Sequence, residues 1–157
     1  MESIEYLINE IKPEDLEEAL DLVWNVFLTY EAPDYAEEGV REFRQFIEYD
    51  SIKKKLTDNE FRMWIYKDKG KIKGVLAPRP PCHISLLFVD GAYHKKGIAR
   101  AMIRIMVDCH KTNRQSKEIT VNSSPFAAEA YHKLGFTDTG SEQTVNGIRF
   151  IPMKRLL

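Results

Sequence analysis

The sequence is poor in the features that mark several large functional classes. It carries only 2 cysteines in 157 residues, Cys82 and Cys109, too few for a disulfide framework. Each precedes a histidine, but neighbouring side chains of a strand point to opposite faces, so Cys82 and His83 do not readily reach one metal. The two pairs read as ordinary buried thiols, with no metal site. Positive charge is not in excess either. With 23 Lys and Arg against 24 Asp and Glu the formal net charge is -1, which argues against nucleic acid or an anionic membrane as the main partner. No stretch approaches the roughly 18 to 20 apolar residues that span a bilayer. The opening "MESIEYLINEIKPED" is acidic where a signal peptide is basic, which predicts a cytoplasmic protein. Both the Gly-x-x-x-x-Gly-Lys-Ser/Thr phosphate loop and the Gly-x-Gly-x-x-Gly dinucleotide turn are missing, which disfavours both of those nucleotide sites. Repeats, low-complexity tracts and linkers are absent too, so one domain over residues 1–157 is expected.

What is present is a sequence of elements with changing period. "SIEYLINEI" reads as an opening strand, and Pro13 starts a helix with Glu14 and Asp15 in its first turn and Leu16, Leu20, Val23 and Phe27 as its buried stripe. After a break at Pro33 a second helix is expected from about Tyr35 to Tyr49, with Val40, Phe43, Phe46 and Ile47 inward. "FRMWIYKD" alternates Phe61, Met63 and Ile65 against Arg62, Trp64 and Tyr66, and two further strands follow, "KIKGVLA" and "HISLLFV", joined by short turns as a meander. "GIARAMIRIMVDCHK" places Ile98, Ala101, Met102, Ile105, Met106 and Cys109 on one helical stripe. "EITVN" is a short strand, and "SSPFAAEAYHKLG" a helix with Ser124 before Pro125 and Gly135 as terminator. The chain closes as a hairpin about Asn146-Gly147, a type I′ dipeptide.

Two stretches carry chemistry. In "FVDGAYHKKGIARAM" a strand ending near Val89 runs through a glycine turn into a helix whose first amides, from about Lys95 through Lys96, Gly97, Ile98 and Ala99 to Arg100, can meet a diphosphate. Alone, such a basic turn is more often only a solvated connector. In "VNSSPFAAEAYHKLGF", Tyr131 shares a helical face with Ala127 and Leu134 and alone would be a core tyrosine.

Taken together, "YHKKGIA" and "SPFAAEAYHKLGF" resemble the GNAT superfamily of acyl-coenzyme A dependent N-acetyltransferases. The family's phosphate turn, Gln/Arg-x-x-Gly-x-Gly/Ala, is matched by His94, Gly97 and Ala99, with histidine in place of the usual first residue. Its later motif, Asn-x-x-Ala-x-x-x-Tyr-x-x-x-Gly-Phe, is matched by Ser124, Ala127, Tyr131, Gly135 and Phe136, with serine in place of asparagine. The resemblance implies an α/β (α+β) fold: a mixed, mostly antiparallel sheet of six to seven strands, splayed at its centre and flanked by about four helices. It also implies acetyl-CoA as acyl-donor cosubstrate, with no metal. The pantetheine arm would enter between "HISLLFV" and "EITVN", bonding the backbone of Phe88 and Val89 and closed on the other side by Asn122, with Ser124 where the family's asparagine contacts the cofactor.

By the same resemblance Tyr131 stands where the family keeps its general acid. The family's base lies eleven residues before the first position of the phosphate turn, and from His94 that count reaches His83, whose ordinary pKa near 6.5 suits proton transfer. A backbone-bonded strand histidine, with a water chain as base, is the alternative; Ser85, expected on the face of His83 and Leu87, would hold such a water. The acidic loop "YEAPDYAEE" falls where the family builds its acceptor pocket, so Glu31 and Asp34 would hold a cationic amine of a small molecule or peptide, with Tyr30 or Tyr35 over it. A solvated acidic turn is the plainer reading of that loop. The expected function is N-acetyl transfer to a primary amine; a non-catalytic acyl-CoA module and a transferase for another acyl chain are the alternatives. A homodimer through the C-terminal strands is suggested by the resemblance.

Overall fold

The computed structural model describes residues 4–113 and 116–157. Its elements in chain order are β1 (Ile8–Glu10), α1 (Leu16–Tyr30), α2 (Glu37–Phe46), α3 (Tyr49–Thr57), β2 (Trp64–Asp68), β3 (Lys71–Arg79), β4 (His83–Val89), α4 (Ile98–Asn113), β5 (Glu118–Ser123), α5 (Ala128–Lys133), β6 (Thr137–Asp138), β7 (Gln143–Val145) and β8 (Ile148–Leu156). The strands form one eight-stranded sheet in the order β1-β2-β3-β4-β5-β8-β6, with β7 also on β8. Every pair is antiparallel except β4 with β5. This is the expected mixed, mostly antiparallel α/β architecture.

Alternation along the strands builds two cores, one on each face of the sheet. Ile65 and Val75 join Leu16, Val23 and Phe27 of α1 on one face. Trp64 and Leu76 join Met102 and Met106 of α4, with Tyr131 and Phe136, on the other. Adjacent strand residues feeding opposite cores is what a period of two demands of a sheet covered on both sides.

Several boundaries differ from the sequence reading; the helix expected just after Ser124, for one, starts only at Ala128. The opening strand is shorter: residues Ile4–Leu7 wind as a 3₁₀ turn before β1, and Ser3 of the expected strand lies outside the described residues. The helix expected from Tyr35 to Tyr49 is α2 alone, ending at Phe46, and a helix that the sequence reading did not expect, α3, follows after Glu48 adopts an extended backbone (φ -56°, ψ 137°). That bend lets both Ile47 and Ile52 bury in the α1-side core, and neither Gly nor Pro announces it. The expected final strand "FTDTGSEQTV" splits into β6 and β7. The hairpin at Asn146-Gly147 forms as expected, with φ of 52° and 81°.

The parallel junction at the sheet centre is the feature that positions the site. β4 and β5 are in register only at His83 with Thr120 and Ile84 with Val121. Beyond those pairs the strands part, while β4 stays on β3 as far as Val89 and β5 stays on β8 as far as Ser123. The result is a wedge-shaped gap that widens toward the turns that follow each strand.

Candidate active site

Hydrogen-bond parity decides which main-chain groups face this gap. Asp90 N–H donates to the Lys73 carbonyl at 2.9 Å and Arg62 N–H to that of Pro78 at 3.2 Å. With strict alternation along β3, these bonds turn the amide and carbonyl of Phe88 toward β3, and those of Leu87 and Val89 toward β5. On the other wall, Thr120 N–H donates to the Cys82 carbonyl at 3.0 Å, so the polar groups of Asn122 also face the gap. Asn122 pairs across β8 with Pro152, which has no N–H to offer. Of the two expected backbone partners, Val89 therefore faces the gap, Phe88 is committed to the β3 ladder, and Leu87 takes its place. The His94 imidazole donates from Nε2 to the Val89 carbonyl at 2.7 Å.

At the wide end of the gap lies the turn "HKKGIA". Lys95 and Gly97 adopt φ of 61° and 81° on either side of Lys96, and the Gly97 carbonyl accepts the Ala101 N–H at 3.0 Å, opening the α4 ladder. The amides of Ile98, Ala99 and Arg100 then have no acceptor within the helix, and the helix dipole adds positive potential there. Lys95, Lys96, Gly97 and Arg100 are exposed, while Ile98 is buried as the anchor. A side chain at Gly97 would meet no protein atom within 4 Å, so the space beside it is open.

The register slips between Ala77 and Pro78, which leaves Ser85 as an extra residue on β4. Before the slip Ile84 belongs to the α4-side core; after it Leu86 and Phe88 belong to the α1-side core. Face alternation breaks at Ser85, so His83 and Leu87 lie on opposite faces, contrary to the sequence reading. His83 is half-buried with Nδ1 2.8 Å from Thr120 Oγ1. Burial, and then the Arg79 cation, lower its pKa to about 4, leaving a neutral ring above that range.

Across the mouth lies the C-terminal end of α1. The Tyr30 ring sits 5.0 Å from His94 and 5.0 Å from Phe126, linking the turn after β4 to the turn after β5. Glu31 follows, with the Ser124 side chain among the groups that act on its carboxyl. Ser124 in turn accepts the Ala127 N–H at 3.2 Å. Burial pushes the Glu31 carboxyl up to about 6, the Ser124 side chain opposes this, and the Asp34 charge adds to it. Tyr131 is buried against Phe136, with ring centroids 5.4 Å apart; burial, with the Glu31 charge behind it, pushes its pKa far above the ordinary phenol value. It stays protonated at any physiological pH.

The Asp34 side chain is exposed, whereas its carbonyl accepts from Arg149 Nη1 at 3.0 Å; Arg149 also grips Glu142 through two bonds of 3.1 Å. Tyr35, half-buried and 5.6 Å from Phe27, is held protonated by burial and the charges of Glu31 and Asp34. Sequence reading missed Leu87, Phe126, Glu142 and Arg149. The first follows from parity that only the folded ladder sets, and the last two from a hairpin register that the Asn146-Gly147 turn would have allowed. A separate cavity of about 430 Å³ opens beside Lys12, Lys53, Arg79 and Pro80, and touches none of the gap residues. Among the described residues no group of three or more His, Cys, Asp or Glu is placed to hold a metal, and no helix is long and apolar enough to cross a membrane.

Comparison with known proteins gives one family. The model of the acetyltransferase (GNAT) domain matches residues 31–157. The chain is similar in structure to a GCN5-related N-acetyltransferase from Rhodopseudomonas palustris, at 21% identity over 96% of this chain and 94% of that one, with a TM-score of 0.81. It is similar also to the PaiA N-acetyltransferase of Thermoplasma acidophilum, solved with coenzyme A, at 16% identity over 96% and 98% of the chains with a TM-score of 0.77. A spermidine N-acetyltransferase chimera from Vibrio cholerae shares 19% identity over 95% and 93% with a TM-score of 0.65. No curated protein sequence matches the chain.

Proposed function

Because this chain belongs to the GNAT acetyltransferase family, we propose that it is an N-acetyltransferase that moves an acetyl group from acetyl-CoA to a primary amine of a small molecule or peptide, in one cytoplasmic domain spanning residues 1–157. The observation that carries the reading is the gap between β4 and β5, lined by main-chain groups of Leu87, Val89 and Asn122 and opening on the free amides of α4. The fit to a coenzyme is good: an amide-bearing arm can continue the β4 edge as an added strand, and the diphosphate can rest on the amides of Ile98 to Arg100 with Lys95 and Lys96 adding attraction. His94 occupies the Val89 carbonyl, which leaves the Leu87 carbonyl and the Val89 amide for the arm.

Tyr131 serves as proton donor to the departing sulfur, being neutral and buried where the acidic end of α1 meets α5. Ser124, whose hydroxyl oxygen accepts the Ala127 N–H, stands at the position of the family's cofactor-contacting asparagine. Glu31, Tyr30 and Tyr35 bound the acceptor pocket, and the relative named for spermidine favours a cationic acceptor. The test is calorimetric titration with acetyl-CoA. Wild type should bind, and Gly97→Glu should lose binding, since it places bulk and negative charge in space that is open in the protein; equal affinity in the two proteins would remove the diphosphate from this turn.

A further inference from the structure

The cavity of about 430 Å³ lies beside the turn that precedes β4, at the opposite end of that strand from the phosphate turn. β2 and β3 pair as far as Trp64 and Leu76, and β3 runs on to Arg79 before the turn at Pro80 and Pro81. Past that last pair the Arg62 N–H still reaches the Pro78 carbonyl at 3.2 Å. The end of β1 and one side of α3 complete the walls. Inside, the cavity is apolar: Leu16, Phe61, Met63 and Pro78 are all buried. Its prolines offer no N–H and hold one backbone angle fixed, which makes for stiff walls. The rim is cationic. Lys12, Lys53 and Arg79 are exposed there, and among the described residues no ion pair engages any of the three. Glu10 is the one carboxylate among the lining residues, and Arg62 holds it at 3.1 Å. His110 lines the cavity too, with Nδ1 donating to the Met106 carbonyl at 3.0 Å. The Lys53 ammonium lies 5.9 Å from the Tyr49 ring one turn back on α3, so a charge and an aromatic face share one edge.

We propose that this cavity is a second small-molecule site, separate from the gap between β4 and β5, and that it takes an organic anion: a carboxylate on an apolar body, its head among Lys12, Lys53 and Arg79 and its body against Phe61 and Met63. Either half of that chemistry alone is insufficient. Exposed cations hold a small hydrated anion weakly, because water screens the charges, and an apolar body without a charge leaves the cationic rim unmet. A molecule with both buries its body in the hollow and brings the counter-charge that the protein does not supply. The same three charges repel a cationic amine, which sets this site apart from the acceptor side of the gap. Nothing in the cavity or its charges depends on the acetyltransferase reading.

The test is an amide NMR titration of the full chain, without acetyl-CoA, using octanoate as the probe and acetate, octanamide and octylamine as its controls. Octanoate should bind saturably and shift the amides of Lys12, Lys53, Phe61, Arg62 and Arg79, with those of Leu87, Val89 and Asn122 unmoved. Acetate has the head without the body, octanamide the body without the charge, and octylamine the wrong sign; each should bind about 10-fold more weakly or worse. Lys53→Glu and Arg79→Glu alter exposed side chains, and each should weaken octanoate by about 10-fold. Lys71→Glu makes the same change of net charge at the exposed far end of β3 and should leave octanoate affinity as in wild type. Equal affinity for octanamide would make the cavity a plain apolar hollow. Shifts confined to Leu87, Val89 and Asn122 would put octanoate in the gap, and an equal loss in Lys71→Glu would reduce the effect to net charge. Each of these results overturns the proposal, as does the absence of saturable binding.

Discussion

Single side chains at the gap divide into those that hold backbone and those proposed to move protons. Tyr131 is the clearest of the second kind: it is buried, protonated, and faces the charge of Glu31. Tyr131→Phe should keep acetyl-CoA affinity in calorimetry and lose about 100-fold in thiol release; unchanged turnover would confine Tyr131 to packing against Phe136. The motif positions Gly97, Ala99, Ser124 and Tyr131 were legible because each is a spacing along one element, and helical or turn spacing survives without tertiary information. The roles of Ser124 and Leu87 were not. Ser124 is a cap by sequence, but that it also acts on the Glu31 carboxyl depends on where α1 ends in space. Leu87 replaces Phe88 because β3 claims alternate residues of β4, a choice set by Asp90 and Arg62 at the ends of the ladder.

Elements carry the second layer of control. The α1–α2 loop is pinned to the C-terminal hairpin by Arg149, which reaches the Asp34 carbonyl and Glu142 together. α2 seats its Gly39 directly on Gly147, where a Cβ on either glycine would collide with the other's backbone. Arg149→Ala should raise the acceptor KM several-fold and speed amide hydrogen exchange in residues 31–36, with acetyl-CoA affinity unchanged, because the hairpin touches the acceptor side and not the phosphate turn. Equal exchange in the two proteins would show that the loop holds itself. Periodicity predicted α1, α4 and the meander of β2 to β4, all of which recur in the structure. It failed at Ser85, where one extra residue swaps the faces of β4, and at Glu48, where burial of both Ile47 and Ile52 bends the chain without a breaker residue.

For the whole molecule, the site leaves a mark on stability. Glu31 has a folded pKa raised from 4.5 to about 6, so the stability it contributes is full below the lower value and is lost as pH rises through the higher. His83 has a folded pKa lowered from 6.5 to about 4, so its contribution is full above 6.5 and is lost as pH falls. Glu31→Gln should therefore be more stable than wild type in urea at pH 8, on the order of 1–2 kcal/mol, and hold no advantage at pH 4; a constant difference at both would show that Glu31 does not titrate abnormally. Such a cost in a folded chain is what burying a carboxylate entails. The account as a whole rests on the gap between β4 and β5 as an acetyl-transfer site, and the most direct measurement is mass-resolved analysis of product from acetyl-CoA and a panel of primary amines. The account predicts acetylated amine and free thiol in equal amount from wild type, and neither from Gly97→Glu. Tight acetyl-CoA binding by wild type with no acetylated amine anywhere in the panel would contradict it and leave a binding module.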